Sequence, residues 1–128
     1  MRLSALVPPG FRLMSGDDRT AFAFIAAGGH GCISTISNVA PDLCRVIFSN
    51  CRQGRLQAAR HLERRLGTLQ ASLNGQNPAA VKYALSLFGL MLADTRLPLV
   101  ELDEPAKAAV ARALAAMAEE DLVGAAEA

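Results

Sequence analysis

The residues that could do chemistry in this chain gather near its start. Gly16-Asp17-Asp18 closes one short apolar run, and Gly28-Gly29-His30-Gly31 leads into a second, Cys32-Ile33-Ser34-Thr35-Ile36-Ser37. Adjacent carboxylates after a glycine suit two compatible tasks. They cap a helix, accepting its orphan backbone N–H groups and complementing its dipole, or they line a polar site at a strand end. Ser34, Thr35 and Ser37 bring hydroxyls, but neither a Gly-x-Ser-x-Gly turn nor a nearby histidine activates them for acyl transfer. An amine nucleophile needs a depressed pKa in a dry pocket beside a carbonyl. The chain has 2 lysines, Lys82 and Lys107, against 11 arginines. Neither lysine falls at a strand end, so both read as solvated side chains rather than reactive amines.

Other reactive side chains have plainer readings. Tyr83, the one tyrosine, shares a helix with Lys82 and suits packing with a bonded hydroxyl better than proton relay. His30, between glycines at the start of the second run, suits a loop or packing role. His61 stands among charges with no second ligand at metal-binding spacing, so no metal site is expected. Arg52, Arg55, Arg60, Arg64 and Arg65 read as a solvated face partly paired with Glu63, since no aromatic interleaving or nucleic-acid motif accompanies them. Cys32, Cys44 and Cys51 form no regular framework, which favours reduced thiols and a cytoplasmic setting. Cys44 and Cys51 fall two turns apart on one helix, about 10 Å along its axis and too far for a disulfide.

The elements that would position these residues follow from the apolar pattern. Phe11–Ser15 reads as a strand between Gly10 and Gly16. Asp17 or Asp18 caps a helix running to about Ala27, packed through Phe22, Ile25 and Ala26 and ended by Gly28-Gly29. Cys32–Ser37 reads as a second strand. A connection of one short helix predicts parallel pairing with a right-handed crossover. Helices are then predicted over Pro41–Gln53, Leu56–Leu73, Pro78–Phe88 with Asn77 as cap, and Glu104–Glu120, fraying after Asp121. In the second of these, Leu56, Ala59, Leu62, Leu66, Leu69 and Leu73 make one stripe. Val110, Leu114 and Met117 make another near the end. Thr95–Leu99 reads as extended or looped.

The 128 residues suffice for one domain with a core, and 52% are apolar. A mean hydropathy of +0.24 hints at surface meant to be covered. A net charge of +1 supplies no field to recruit nucleic acid or an anionic membrane. No stretch reaches the roughly 18 apolar residues of a membrane span. Met1–Pro9 is too short for a signal-peptide core and reads as the tail of a helix ended by Pro8-Pro9-Gly10. Two parallel strands alone leave both edges bare. Strands from another segment are therefore expected beside them.

Gly16-Asp17-Asp18, Gly28-Gly29-His30-Gly31-Cys32-Ile33-Ser34 and Asn38-Val39-Ala40-Pro41 together resemble the seventh- and eighth-strand region of the dihydrodipicolinate synthase (4-hydroxy-tetrahydrodipicolinate synthase) family. Asn77-Pro78-Ala79-Ala80-Val81-Lys82 and Arg96-Leu97-Pro98-Leu99 resemble two later segments in the same order. The related N-acetylneuraminate lyases fit Asn38-Val39-Ala40-Pro41 less well. The resemblance implies an α/β fold, the C-terminal fragment of a (β/α)8 TIM barrel (residues 1–54) followed by a C-terminal helical extension (55–128). It implies a lyase that condenses pyruvate with aspartate semialdehyde through a Schiff base, in lysine biosynthesis, without a cofactor. Gly16 and Ile33 would line the pyruvate pocket through backbone groups, with Asp17, Asp18 and Ser34 beside it. The family's Schiff-base lysine lies on the sixth strand, upstream of Met1, so no catalytic residue is expected here. The chain alone is then expected to be inactive. The expected partners are an N-terminal chain or further copies of itself, with pyruvate bound only in a completed barrel. The alternative is a non-catalytic binding module that docks on a full-length homologue. A third reading is a small helical domain with an incidental βαβ unit.

Overall fold

A computed structural model describes residues 3–75 and 77–126, with side chains to Glu119. In chain order it contains β1 (Met14–Ser15), α1 (Asp18–Ala26), β2 (Gly31–Cys32), α2 (Pro41–Arg52), α3 (Leu56–Leu73), α4 (Ala79–Leu87) and α5 (Glu104–Ala126). Single 3-10 turns stand at Leu3–Ala5 and Ile36–Asn38. Among the described residues of the N-terminal stretch expected as a helix tail, the helical structure is the first of these turns.

The chain divides into two compact units, Met1–Glu63 and Arg64–Ala128. The division falls inside α3, whose limits match the leucine stripe that predicts it.

In the first unit, β1 and β2 pair in parallel, Met14 against Gly31 and Ser15 against Cys32. Their connection is α1, so this is the expected strand–helix–strand unit. Both strands are shorter than the apolar runs suggest. Beyond the ladder residues, pairing continues only through His30 N–H to the Leu13 carbonyl (2.9 Å) and Ile33 N–H to the Ser15 carbonyl (2.8 Å). The run that the sequence extends to Ser37 turns instead into 3-10 helix, because other acceptors capture its N–H groups, as described below.

Asp17 is the N-cap of α1. It has extended backbone (φ −133°, ψ 116°), and its side chain accepts from Arg19 N–H. Gly28 ends the helix with φ +94°, a conformation that costs a residue with a Cβ. Gly29 N–H closes the turn onto the Phe24 carbonyl at 2.9 Å. A Cβ on Gly29 would stand 2.2 Å from the Phe24 ring. The buried face of α1 is Ala21 and Ile25; Phe22 is half-buried, and Ala26, expected inside, is exposed. Ala21 shares a face with Ile25 because side chains four residues apart stack along a helix, whereas Ala26 is turned away by one further residue. α1 packs on α2, whose buried side chains are Cys44, Ile47, Asn50 and Cys51.

In the second unit, Leu66, Leu69 and Leu73 of α3 are buried, as are Ala79, Ala80, Val81 and Ala84 of α4 and Val110 and Ala113 of α5. α4 packs on α5, and the small residues of α4 permit the close approach. The N-cap of α4 is Pro78, without a side-chain cap bond. The expected cap at Asn77 lies one residue too early. Helix α5 continues to Ala126, past the end expected from its alanine-rich sequence.

Candidate functional site

Parallel pairing puts the C-terminal ends of β1 and β2 at the same edge of the sheet. Gly16, Asp17 and Asp18 leave that edge from β1, and Ile33 and Ser34 leave it from β2. The structure thus brings together all five residues singled out as pocket-lining. Gly16 is exposed, with open space where a Cβ would stand. The Ile33 side chain is 74% exposed, while its N–H is bound to the Ser15 carbonyl.

The two aspartates divide the roles that the sequence offers to either. Asp17 caps α1 and also holds Arg19 in a two-point contact. Oδ1 accepts from Arg19 Nε and Oδ2 from Arg19 Nη2, each at 3.1 Å. These bonds hold the Asp17 carboxyl below its ordinary value and the Arg19 guanidinium above its own. Asp18 turns toward β2 instead. Its Oδ2 accepts from the N–H groups of Thr35 (2.8 Å) and Ile36 (3.1 Å), and Cys32 Sγ lies 3.9 Å from its Oδ1. Ser34 Oγ accepts from Ser37 N–H at 2.9 Å, and Ser37 Oγ donates to the Ser34 carbonyl at 3.0 Å. This local serine pairing favours a turn over continued strand.

The three thiols are free. Burial, reinforced by the Asp18 charge, raises Cys32. The same causes push Cys44 up to about 11, and burial alone raises Cys51. Thiols held protonated in this way are poor nucleophiles at neutral pH. Among the described residues no group of His, Cys, Asp and Glu could hold a metal ion.

The lysines are engaged within the second unit. Lys82 Nζ donates to the Asp94 carbonyl. Lys107 Nζ binds Glu104 Oε1 at 3.1 Å and stands 6.0 Å from the centre of the Tyr83 ring. The hydrogen bond to Glu104 and the charge of that carboxylate raise the Lys107 pKa, the opposite of what an imine-forming amine needs.

At the other end of the strands, His30 Nδ1 accepts from Leu13 N–H at 3.0 Å. Arg52 Nη2 donates to the His30 carbonyl. Neither partner is legible in the sequence, since both bonds join segments far apart along the chain. No helix among the described residues is long and apolar enough to cross a membrane.

Comparison with known proteins gives this geometry a setting. The model of the dihydrodipicolinate synthetase family matches residues 1–117. The 4-hydroxy-tetrahydrodipicolinate synthase of Afipia carboxidovorans is 48% identical over 95 residues, which are 73% of this chain and 32% of that protein. The same enzyme of Methylobacterium radiotolerans is 48% identical over 105 residues, 81% of this chain and 35% of that protein. The crystal structure of dihydrodipicolinate synthase from Thermotoga maritima superposes with a TM-score of 0.86 at 33% identity, over 91% of this chain and 40% of that one. The 4-hydroxy-tetrahydrodipicolinate synthase of Methylacidiphilum fumariolicum SolV gives a TM-score of 0.86 at 30% identity, over 92% and 40%. The chain spans about a third of the length of the curated relatives it matches.

Proposed function

Because the chain belongs to the dihydrodipicolinate synthetase family, we propose that it is the carboxy-terminal part of a pyruvate-dependent Schiff-base lyase. The reaction is the condensation of pyruvate with aspartate semialdehyde. In this reading β1 and β2 are the seventh and eighth strands of a (β/α)8 barrel. Residues 1–54 are the barrel part and 55–128 the helical extension. Gly16 and Ile33 offer backbone groups to pyruvate, and Asp17, Asp18 and Ser34 stand beside them.

The supporting observation is the parallel register of Met14 with Gly31 and Ser15 with Cys32. It sets these five residues at the C-terminal strand edge, where barrels of this class carry their chemistry. The amine that forms the imine comes from a strand outside this chain, because Lys82 and Lys107 are each committed to other partners.

Borohydride reduction in the presence of pyruvate tests the reading. The isolated 128-residue polypeptide gives no stable adduct. Mixed with a chain that supplies the missing strands, it yields an adduct on that chain. A pyruvate adduct on Lys82 or Lys107 overturns the proposal.

A second reading, a non-catalytic module that docks on a full-length homologue, draws support from the apolar side chains exposed between Leu87 and Val100. Size-exclusion chromatography with and without the homologue separates the two. Co-elution with an already complete enzyme favours docking.

A further inference from the structure

Asp18 sits in the first turn of α1, yet its carboxylate serves a different element. Helix capping is already done by Asp17, whose Oδ1 takes Arg19 N–H at 3.0 Å. Asp18 is left to reach across to the exit of β2, where Oδ2 takes two successive N–H groups, those of Thr35 and Ile36. These are orphan donors at the start of the 3-10 turn, without a carbonyl one turn earlier to receive them. Ile36 is buried, so water is a poor substitute there. A carboxylate is the strongest acceptor a side chain offers to such N–H groups.

Ile33 and Ser34 lie between two anchors. On one side Ile33 N–H is held by the Ser15 carbonyl. On the other, Thr35 and Ile36 are held by Asp18. We propose that Asp18 is a positioning residue whose carboxylate fixes the backbone of Ile33 and Ser34 at the strand edge. That these two residues face a 2-oxo acid rests on the function proposed above; the anchoring itself does not. Asp18 acts through the loop and needs no contact with the ligand.

Residue-resolved amide exchange in the 128-residue chain tests the anchor. Asp18→Ala speeds exchange at Thr35 and Ile36 by about 10-fold or more, the loss expected when a charged acceptor is removed. It also broadens or shifts the Ile33 and Ser34 amide signals. Asp18→Asn keeps one acceptor oxygen and recovers part of the protection, which separates loss of the acceptor from loss of side-chain volume. Should alanine unfold the first unit, the asparagine variant decides, since it must speed exchange at Thr35 and Ile36 more than within α2. Unchanged exchange at Thr35 and Ile36, or changed exchange there with Ile33 and Ser34 unmoved, overturns the proposal.

Pyruvate trapping with the complementing chain adds the functional arm. At limiting pyruvate, trapping falls about 10-fold for alanine, the same factor as the lost anchor, and less for asparagine, and the difference closes at saturating pyruvate. Equal trapping by all three forms overturns the positioning role. No trapping even by the unsubstituted chain overturns the parent reading, and the exchange data then decide the anchor alone.

Discussion

His30 Nδ1 accepts the backbone N–H of Leu13 at 3.0 Å, while His30 N–H donates to the Leu13 carbonyl at 2.9 Å. One residue thus makes both bonds to Leu13, the first of them through its ring. That ring bond requires a lone pair on Nδ1, which places the ring proton of neutral His30 on Nε2. The sheet is secured at both ends by side-chain acceptors, His30 where the strands begin and Asp18 where they end. In a two-stranded sheet with two-residue strands, such bonds replace ladder bonds that longer strands would provide.

His30→Ala removes the acceptor and leaves Leu13 N–H unpaired in half-buried surroundings. The expected cost is about 1–2 kcal/mol, measured as a lower urea midpoint. His30→Gln, with an oxygen at comparable reach, recovers part of it. Because the bond lies at the strand edge away from Ile33 and Ser34, trapping by the complemented assembly stays unchanged. A His30→Ala chain with an unaltered midpoint would show that the imidazole bond contributes nothing net.

The thiols give a prediction in alkaline solution. Cys44 is raised from 9.0 to about 11 in the folded chain, so ionisation begins earlier in the unfolded one. A raised folded value means stability is complete below the unfolded pKa and is lost as pH climbs through the folded one. The urea midpoint should therefore fall between about pH 9 and about pH 11, and Cys44→Ala should flatten that part of the profile. Thiol-modifying reagents near neutral pH should react slowly with Cys44 and Cys51, which are both buried. Rapid modification of Cys44 without unfolding would contradict its placement.

Much of the architecture is legible in the sequence, for identifiable reasons. The limits of α3 follow from leucines recurring on one face, a local signal that needs no tertiary partner. The start of α2 is set by Pro41 in its first turn, and the end of α1 by Gly28 and Gly29. What escapes the sequence is non-local. Ile36 and Ser37 carry the composition of a strand, yet Thr35 and Ile36 give their N–H groups to Asp18, a partner 17 and 18 residues away. The pairing of Ser34 with Ser37 is a local cue for the turn, visible in the spacing of the two serines. The five residues proposed for the pocket follow from the resemblance. The split between a capping Asp17 and an anchoring Asp18 does not, because two adjacent carboxylates are told apart only by the N–H groups each one meets in three dimensions.

The core gives a prediction for each unit separately. Ile47 on α2 is 2% exposed and Leu69 on α3 is 0% exposed. Ile47→Val should cost the first unit about 0.5–1.5 kcal/mol, and Leu69→Ala should cost the second about 2–5 kcal/mol. Amide exchange locates each loss. Ile47→Val should speed exchange in α1 and α2, which pack together, and Leu69→Ala in the second half of α3. A Leu69→Ala chain with unchanged exchange in α3 would mean that the side chain is not packed in a core.

The surface of the second unit makes the last prediction. Leu92 is 74% exposed and Leu97 is 87% exposed, and Phe88, Leu90 and Val100 are exposed as well. Scattered exposed leucines are ordinary, but these all fall within the one segment that joins α4 to α5. Covering a leucine side chain is worth about 1.5–3 kcal/mol, so two or three of them supply a real drive to associate. Sedimentation velocity of the isolated chain should show mass rising with concentration. The double substitution Leu92→Lys and Leu97→Glu should return it toward the monomer with little effect on the urea midpoint, since neither side chain is packed. A single monomeric species across the whole concentration range would show that these side chains leave no adhesive face.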